Sequence, residues 1–294
     1  MSTPAQVLRA RLDRRPILVA PGVVDPLTAQ LAVNAGFEAL YLTGAGIAYT
    51  RLGMPDIGLT TMTEVTEVIA RIADKVDVPL IVDGDTGFGN AISVKRTMRF
   101  FERAGAAAIQ IEDQTFPKRC GHLRGKDVVP AEEMIGKIKA AVDARQNGML
   151  VIGRTDAGAI EGFERAFERA ARYAEAGADI IFVEAPRTRE ELAAVPAKLG
   201  GIRPLMANMV EGGRTPMTPV QDLEAMGYSL AVFSAGVVRA MARSARRFYD
   251  TLRADGTSDA VREEMYSFDE LAEIVGTTDL LEAGRKYDAA GGGA

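Results

Sequence analysis

The chain has 294 residues, enough for one large domain or two small ones around a sizeable core. Its 47% hydrophobic and 26% charged residues are those of an ordinary soluble globular protein, and a formal net charge of -5 gives no electrostatic reason to expect nucleic acid or an anionic membrane as partner. One cysteine excludes an intrachain disulfide framework, no apolar run approaches the roughly 18 to 20 residues of a membrane span, and Met1 to Arg15 lacks a signal-like apolar core, so a reducing, cytoplasmic location is expected.

Short Val, Ile and Leu-rich runs alternate with longer amphipathic segments. The strand candidates, in order, are Ile17 to Ala20, Ala39 to Leu42, Pro79 to Val82, Ala108 to Ile111, Leu150 to Gly153, Ile180 to Val183, Pro204 to Ala207 and Leu230 to Phe233. Between them the spacing predicts helices over Thr61 to Val76, Ile92 to Ala104, Pro130 to Arg145, Phe163 to Ala176 and Thr188 to Leu199. Gly36, Gly105, Gly177 and Gly227 each stand between a helical pattern and the next strand, where glycine caps a helix at low steric cost. Near-continuous apolar strands joined by helices imply a parallel sheet covered on both faces, and eight such units predict a closed α/β (β/α)8 barrel of TIM type. An open doubly wound sheet is the alternative, but no Gly-x-Gly-x-x-Gly turn follows the first strand. The barrel is expected over 1–254 and a helical tail over 255–294, with patterns at Val261 to Tyr266 and Phe268 to Val275 and a disordered Gly-Gly-Gly-Ala end.

In such a barrel the active site lies at the C-terminal ends of the strands. The residues there are polar one after another: Asp25, Thr43-Gly44-Ala45, Asp83 and Asp85, Glu112 and Asp113, Arg154 and Asp156, Glu184, and Asn208 with Glu211. Asp83 and Asp85, two apart on an extended segment, point to one side. Two carboxylates facing one space repel, so either one takes a proton or a cation lies between them; the other reading is a capped turn with exposed aspartates. Few carboxylate ligands suit magnesium, which keeps waters and substrate oxygens in its shell, with Glu112 and Asp56 as outer-shell acceptors. The absence of a His pair or Cys cluster argues against zinc. Arg154 suits a substrate carboxylate or a salt bridge to Glu184 or Asp156, and the Thr43, Gly44 and Ala45 segment suits another carboxylate. Tyr41 and Asn208 fit substrate contacts or satisfied core polar groups equally well.

The only cysteine and the only histidine stand together in Lys118-Arg119-Cys120-Gly121-His122. A thiol of ordinary pKa ~8.5 beside Lys, Arg and His sits in a field that favours ionisation, which makes Cys120 a candidate acid, base or nucleophile. The alternative is a basic surface loop with an incidental cysteine.

Taken together, Tyr41-Leu42-Thr43-Gly44, Val82 to Gly89, Ile111-Glu112-Asp113-Gln114, Lys118 to His122, Arg154-Thr155-Asp156-Ala157 and Val183-Glu184-Ala185 resemble the isocitrate lyase and phosphoenolpyruvate mutase superfamily, from about Ile17 to Tyr249. The cysteine motif resembles that of its lyase branch. The resemblance implies a magnesium-dependent (or manganese-dependent) retro-Claisen cleavage of a 2-hydroxy dicarboxylate or tricarboxylate. Asp83, Asp85 and, through water, Glu112, with Asp56 nearby, would serve the metal. Cys120 would protonate C3, Arg154 and Glu184 would flank C2, and Tyr41, Thr43, Gly44, Ala45, Gly121, His122 and Asn208 would position substrate. Thr43-Gly44-Ala45, Asn208 to Gly213 and Phe233 to Val238 depart from the methylisocitrate-cleaving pattern, which makes a 2,3-dialkylmalate the expected substrate and methylisocitrate or oxaloacetate the alternatives. A non-catalytic dicarboxylate-binding barrel is the reading outside enzymes. The resemblance also implies an eighth helix exchanged between subunits, expected near Ala240 to Leu252, in a homotetramer built as a dimer of dimers.

Overall fold

The computed structural model describes residues 2–119, 121 and 125–287. Among them, eight parallel strands close into a barrel in which each strand pairs with its sequence neighbours and the last pairs with the first. In chain order the elements are α1 (Pro4–Leu12), β1 (Leu18–Val23), α2 (Pro26–Asn34), β2 (Leu40–Leu42), α3 (Gly44–Ile47), α4 (Met62–Ala73), β3 (Leu80–Asp83), α5 (Ala91–Ala104), β4 (Ala108–Glu112), α6 (Ala131–Ala144) and β5 (Leu150–Thr155). They continue with α7 (Phe163–Glu175), β6 (Ile180–Val183), α8 (Arg189–Leu199), β7 (Leu205–Asn208), α9 (Val220–Met226), β8 (Leu230–Phe233), α10 (Gly236–Asp255), α11 (Phe268–Val275) and α12 (Thr277–Arg285). The eight-unit expectation holds, and Gly36, Gly105, Gly177 and Gly227 all take the left-handed conformation that ends a helix.

Side chains on a strand alternate between faces, and this period divides the apolar residues into two sets. Val23, Leu42, Val82, Ile111, Val151, Ile181 and Ala231 face outward and pack with helix residues such as Val65, Ile69, Phe101, Met134, Ile138 and Tyr173. Leu18, Ala20, Tyr41, Ile81, Ala108, Ile152, Phe182, Met206 and Val232 fill the interior together with Leu8 and Leu12 of α1, which close its lower end. Continuing the inward set by two residues leads to Asp83, Gln110 and Glu112, Arg154, Glu184, Asn208 and Ser234. The packing that fills the barrel therefore also aims its polar rim.

The first strand departs from its expected end. Pro21-Gly22 reads as a turn, yet β1 continues to Val23, with Pro21 in register with Phe233 and Gly22 with Tyr41. A Cβ on Gly22 would lie 2.1 Å from the Ser234 carbonyl oxygen, so only glycine permits the approach that closes β1 against the end of β8.

The chain divides into two compact units, Met1–Val238 and Arg239–Ala294. The second contains most of α10 with α11 and α12, and the pattern expected over Val261 to Tyr266 becomes a short 3-10 turn at Asp259–Glu264. No residue of α11 or α12 is buried. Among the described residues, no helix is long and apolar enough to cross a membrane.

Gly22→Ala is expected to lower unfolding stability by about 1–3 kcal/mol, as overpacking against fixed backbone does. Urea denaturation would show it as an earlier midpoint; an unchanged midpoint would mean that the closure has slack.

Candidate active site

The barrel's polar rim converges on a cavity of about 50 Å³ lined by Tyr41, Thr43, Ala45, Asp56, Asp83, Glu112, Lys118, Arg119, Gly121, Arg154, Glu184, Asn208, Val210, Ser234 and Ala235. Ten residues singled out in the sequence thus share one space. Cys120 and His122 lie outside the described residues.

On the acidic side, Gly44 and Asp83 are in direct contact. The Gly44 amide donates to Asp83 Oδ2 at 3.3 Å, and a Cβ on Gly44 would lie 3.1 Å from that oxygen and 3.3 Å from Asp85 Oδ1. This amide, expected to face a substrate carboxylate, is thus turned to a protein one, while Thr43 Oγ1 caps α3 by accepting from Gly46. Gln110, a fully buried amide, accepts from the Tyr41 hydroxyl at 3.1 Å and donates to Asp83 Oδ1 at 3.2 Å. Burial first, and then the Asp83 charge, holds the Tyr41 phenol well above its usual pKa, so it stays protonated. With its proton on Gln110, its oxygen remains an acceptor.

Asp85 takes a positive φ of 48°, as does Ala185, at 55°, immediately after Glu184. Such conformations in non-glycine residues are strained, and here they fall at the rim of the site. The loop lysine Lys118 is buried between Asp56, with which it forms an ion pair, and Asp85, 2.7 Å away. Asp56 therefore stands on Lys118, which explains its place near the site.

Arg154 is surrounded by acids. Its Nε and Nη2 bind Asp156 at 2.8 and 3.2 Å, Nη1 lies 3.1 Å from Glu112, Nη2 is 3.8 Å from Glu184, and the guanidinium sits 5.4 Å from the Phe182 ring centre. Of the two sequence readings, the salt bridges are realised; a substrate carboxylate would share the guanidinium with them. Burial pushes the Asp156 carboxyl up, but Arg154 and Lys126 outweigh it and hold it at about 2. Glu112 goes the other way: burial raises it well above the ordinary carboxylate range against the pull of Arg154.

Not every strand-end acid serves the site. Asp25 caps α2, and buried Asp113 accepts from Thr155 Oγ1, the Tyr173 hydroxyl and the Asp156 amide, at 2.7–2.8 Å. Sequence reading missed Gln110 and Lys126, and named Ser234 only within the run after strand eight. The inward period places both Gln110 and Ser234.

A divalent cation fits the residues present. Glu112 Oε1 is buried with no hydrogen-bond partner among the described residues, and Asp83, Asp85 and Glu112 offer hard oxygen donors. Among the described residues no three His, Cys, Asp or Glu side chains are placed to hold a metal ion together, so an ion here would need water and substrate oxygens in its shell.

The lyases similar to this chain over nearly its whole length make it a carbon–carbon lyase. A phosphoenolpyruvate phosphomutase family model matches residues 8–253, and the chain belongs to the phosphoenolpyruvate mutase/isocitrate lyase superfamily. It is 42% identical to 2,3-dimethylmalate lyase of Eubacterium barkeri, over 98% of this chain and 99% of that one. It is 46% identical to 2-methylisocitrate lyase of Aeropyrum pernix, over 95% and 89%. An oxaloacetate acetylhydrolase solved with 3,3-difluorooxalacetate superposes with a TM-score of 0.92 at 35% identity, covering 97% of each chain.

Asp85 makes the site's charge visible in stability. Burial, opposed by Lys118 and reinforced by Asp83 and Asp56, raises its carboxyl from 3.8 to about 6. A raised carboxyl contributes stability that is fully present below the unfolded value and is lost as pH rises through the folded one. In chelator-treated protein, wild type is therefore expected to lose stability relative to Asp85→Asn as pH climbs from 3.8 through about 6. Parallel urea-stability curves for the two proteins would contradict this.

Proposed function

We propose that the protein cleaves a 2,3-dialkylmalate to pyruvate and a monocarboxylate such as propionate. The observation that carries this reading is the wall after β7 and β8, where the cavity meets Val210, Ser234 and Ala235. These uncharged groups suit an alkyl substituent and offer no cation to a third carboxylate. Of the three cations that line the cavity, Lys118 and Arg154 already face acids, and Arg119 stands in the loop segment away from this wall in sequence. Similarity to the 2,3-dimethylmalate lyase over nearly the whole chain supports the same substrate class.

Asp83 and Asp85, with Glu112 through water, are the residues to hold magnesium or manganese, which when bound supplies Lewis-acid polarisation of the substrate's C2 oxygen. Arg154, fixed by Asp156 and Glu112, orients the C2 carboxylate, and Glu184 flanks the same end. The C2 hydroxyl passes its proton to a carboxylate of the surrounding acid cluster, and its oxygen becomes the carbonyl of pyruvate as the C2–C3 bond breaks. The bonding pair moves to C3 as a carboxylate-stabilised enolate. The Tyr41 hydroxyl oxygen and the Asn208 amide position the substrate, and Cys120 delivers the proton to C3. Exclusion of water from the cavity, whose lining includes Gly121, would protect that carbanion.

Pyruvate release from mixed 2,3-dimethylmalate stereoisomers is expected to require the divalent ion and to fall by about 10²–10⁴-fold in Cys120→Ser, the range for a lost acid catalyst. Faster cleavage of methylisocitrate or oxaloacetate, judged by kcat/KM, would move the assignment to that substrate. Metal-independent binding without turnover would indicate a binding barrel instead.

We also propose a homotetramer in which the helix expected to be exchanged lies near Ala240 to Leu252. The second unit presents Phe268 at 97% and Leu280 at 70% exposure, apolar surface that association would cover. Sedimentation velocity is expected to give a tetramer, and a monomer across the concentration range would overturn this arrangement.

A further inference from the structure

We propose that Lys126 is a positioning residue for this lyase: its ammonium ties the backbone carbonyl of Gly121, the residue bonded to Cys120, to the Asp156 carboxylate that also holds Arg154. The Lys126 side chain is 2% exposed and that of Asp156 is 0% exposed. Lys126 Nζ lies 2.5 Å from Asp156 Oδ1 and 2.5 Å from the Gly121 carbonyl oxygen. Both are charge-assisted hydrogen bonds, and burial strengthens them.

The geometry on the other side of Asp156 gives the anchor its significance. Asp156 Oδ1 is shared by Lys126 Nζ and Arg154 Nη2, while Oδ2 takes Arg154 Nε. Asp156 is itself fixed through its amide by Asp113, whose carboxylate is held in turn by Thr155 and Tyr173. Gly121 is therefore tied to a hydrogen-bonded carboxylate immediately after β5. It also sits close against the reacting end: a Cβ on Gly121 would lie 2.1 Å from Glu184 Oε1 and 2.5 Å from Arg154 Nη2. Backbone this near to Arg154 and Glu184 gains from a restraint, and the Lys126 contact with the Gly121 carbonyl supplies one.

Charge balance accounts for part of this arrangement, since Arg154 is shared among Asp156, Glu112 and Glu184 and leaves a place for a second cation. A second buried ammonium carries a desolvation cost of its own. Its contact with the Gly121 carbonyl adds something that neutralisation would not require. A proton donor attached to that segment gains from a fixed backbone, since transfer needs the donor at hydrogen-bond distance from the receiving atom.

The inference rests on the lyase reading in so far as Cys120 is the acid, and the test separates the two. Cys120 is the chain's only cysteine, so its alkylation by iodoacetamide reports on this segment without substrate. Rates are taken at the high-pH plateau, where the thiolate fraction no longer varies. Lys126→Met is expected to alkylate several-fold faster than wild type and to lower kcat for pyruvate release by about 10²-fold, with a smaller change in KM. Lys126→Arg, which keeps a charge that can reach both oxygens, is expected to restore both in large part. Should Lys126→Met not fold, Lys126→Gln, which keeps a donor and loses the charge, is read by the same two assays. A plateau alkylation rate equal to wild type in the charge-removing variant overturns the proposal, whatever happens to thermal stability. If wild type releases no pyruvate from any candidate substrate, the substrate reading falls while the alkylation comparison still decides the role of Lys126.

Discussion

A strand can aim a side chain only to one face or the other, and in this barrel the inward face is already committed to packing. Leu18, Ile81, Ile152, Phe182, Met206 and Val232 occupy the interior, closed below by Leu8 and Leu12. The next inward positions toward the C-terminal ends are polar, so the site inherits its geometry from the core. A one-residue slip of any strand would turn its functional group into the outer apolar layer and its packing residue out of the barrel. Asp83, Glu112, Arg154, Glu184 and Asn208 meet around one small cavity because the hydrophobic register admits no other pairing.

Upon that frame, electrostatics settles which groups are charged. Five carboxylates (Asp56, Asp83, Asp85, Glu112 and Glu184) face the cavity or its edge, and Lys118, Arg119 and Arg154 line it with them. Lys118 and Arg154 are not equivalent. Lys118 lies between Asp56 and Asp85, on the side where a metal would bind, whereas Arg154 lies between Glu112 and Asp156 beneath Gly121. Asp156 is held low and Glu112 high although both are fully buried. The difference is in partners: Asp156 has hydrogen bonds from both Arg154 and Lys126, while Glu112 has the more distant Arg154 contact and an oxygen with no partner among the described residues.

Much of this was legible in the residues. Eight apolar runs and their capping glycines specify the barrel, and the polar residue after each run marks the rim. What escaped had physical causes. Pro21-Gly22 carries the composition of a turn, and only the contact of Gly22 with the Ser234 carbonyl shows why strand continues through it. Gln110 hid inside an apolar run, since a buried amide that pairs with Tyr41 and Asp83 has no local signature. Asp25 and Asp113 looked like site acids because helix caps and strand-end networks also use carboxylates next to strands. Lys126 appears in the sequence as one more charge in a polar loop; its partner Asp156 is 30 residues away and meets it only when β5 is in place.

The closeness of Gly22 to Ser234 bears on how such an enzyme diverges. Because the backbone at the end of β8 is pinned by β1, side chains at positions 234 and 235 can change without shifting the strands that carry the acids. Val210 beyond β7 offers similar freedom. The acidic half of the rim, by contrast, is cross-linked through shared carboxylates, where one exchange unbalances several neighbours. The two parts of the cavity wall thus differ in how freely a lineage can vary them.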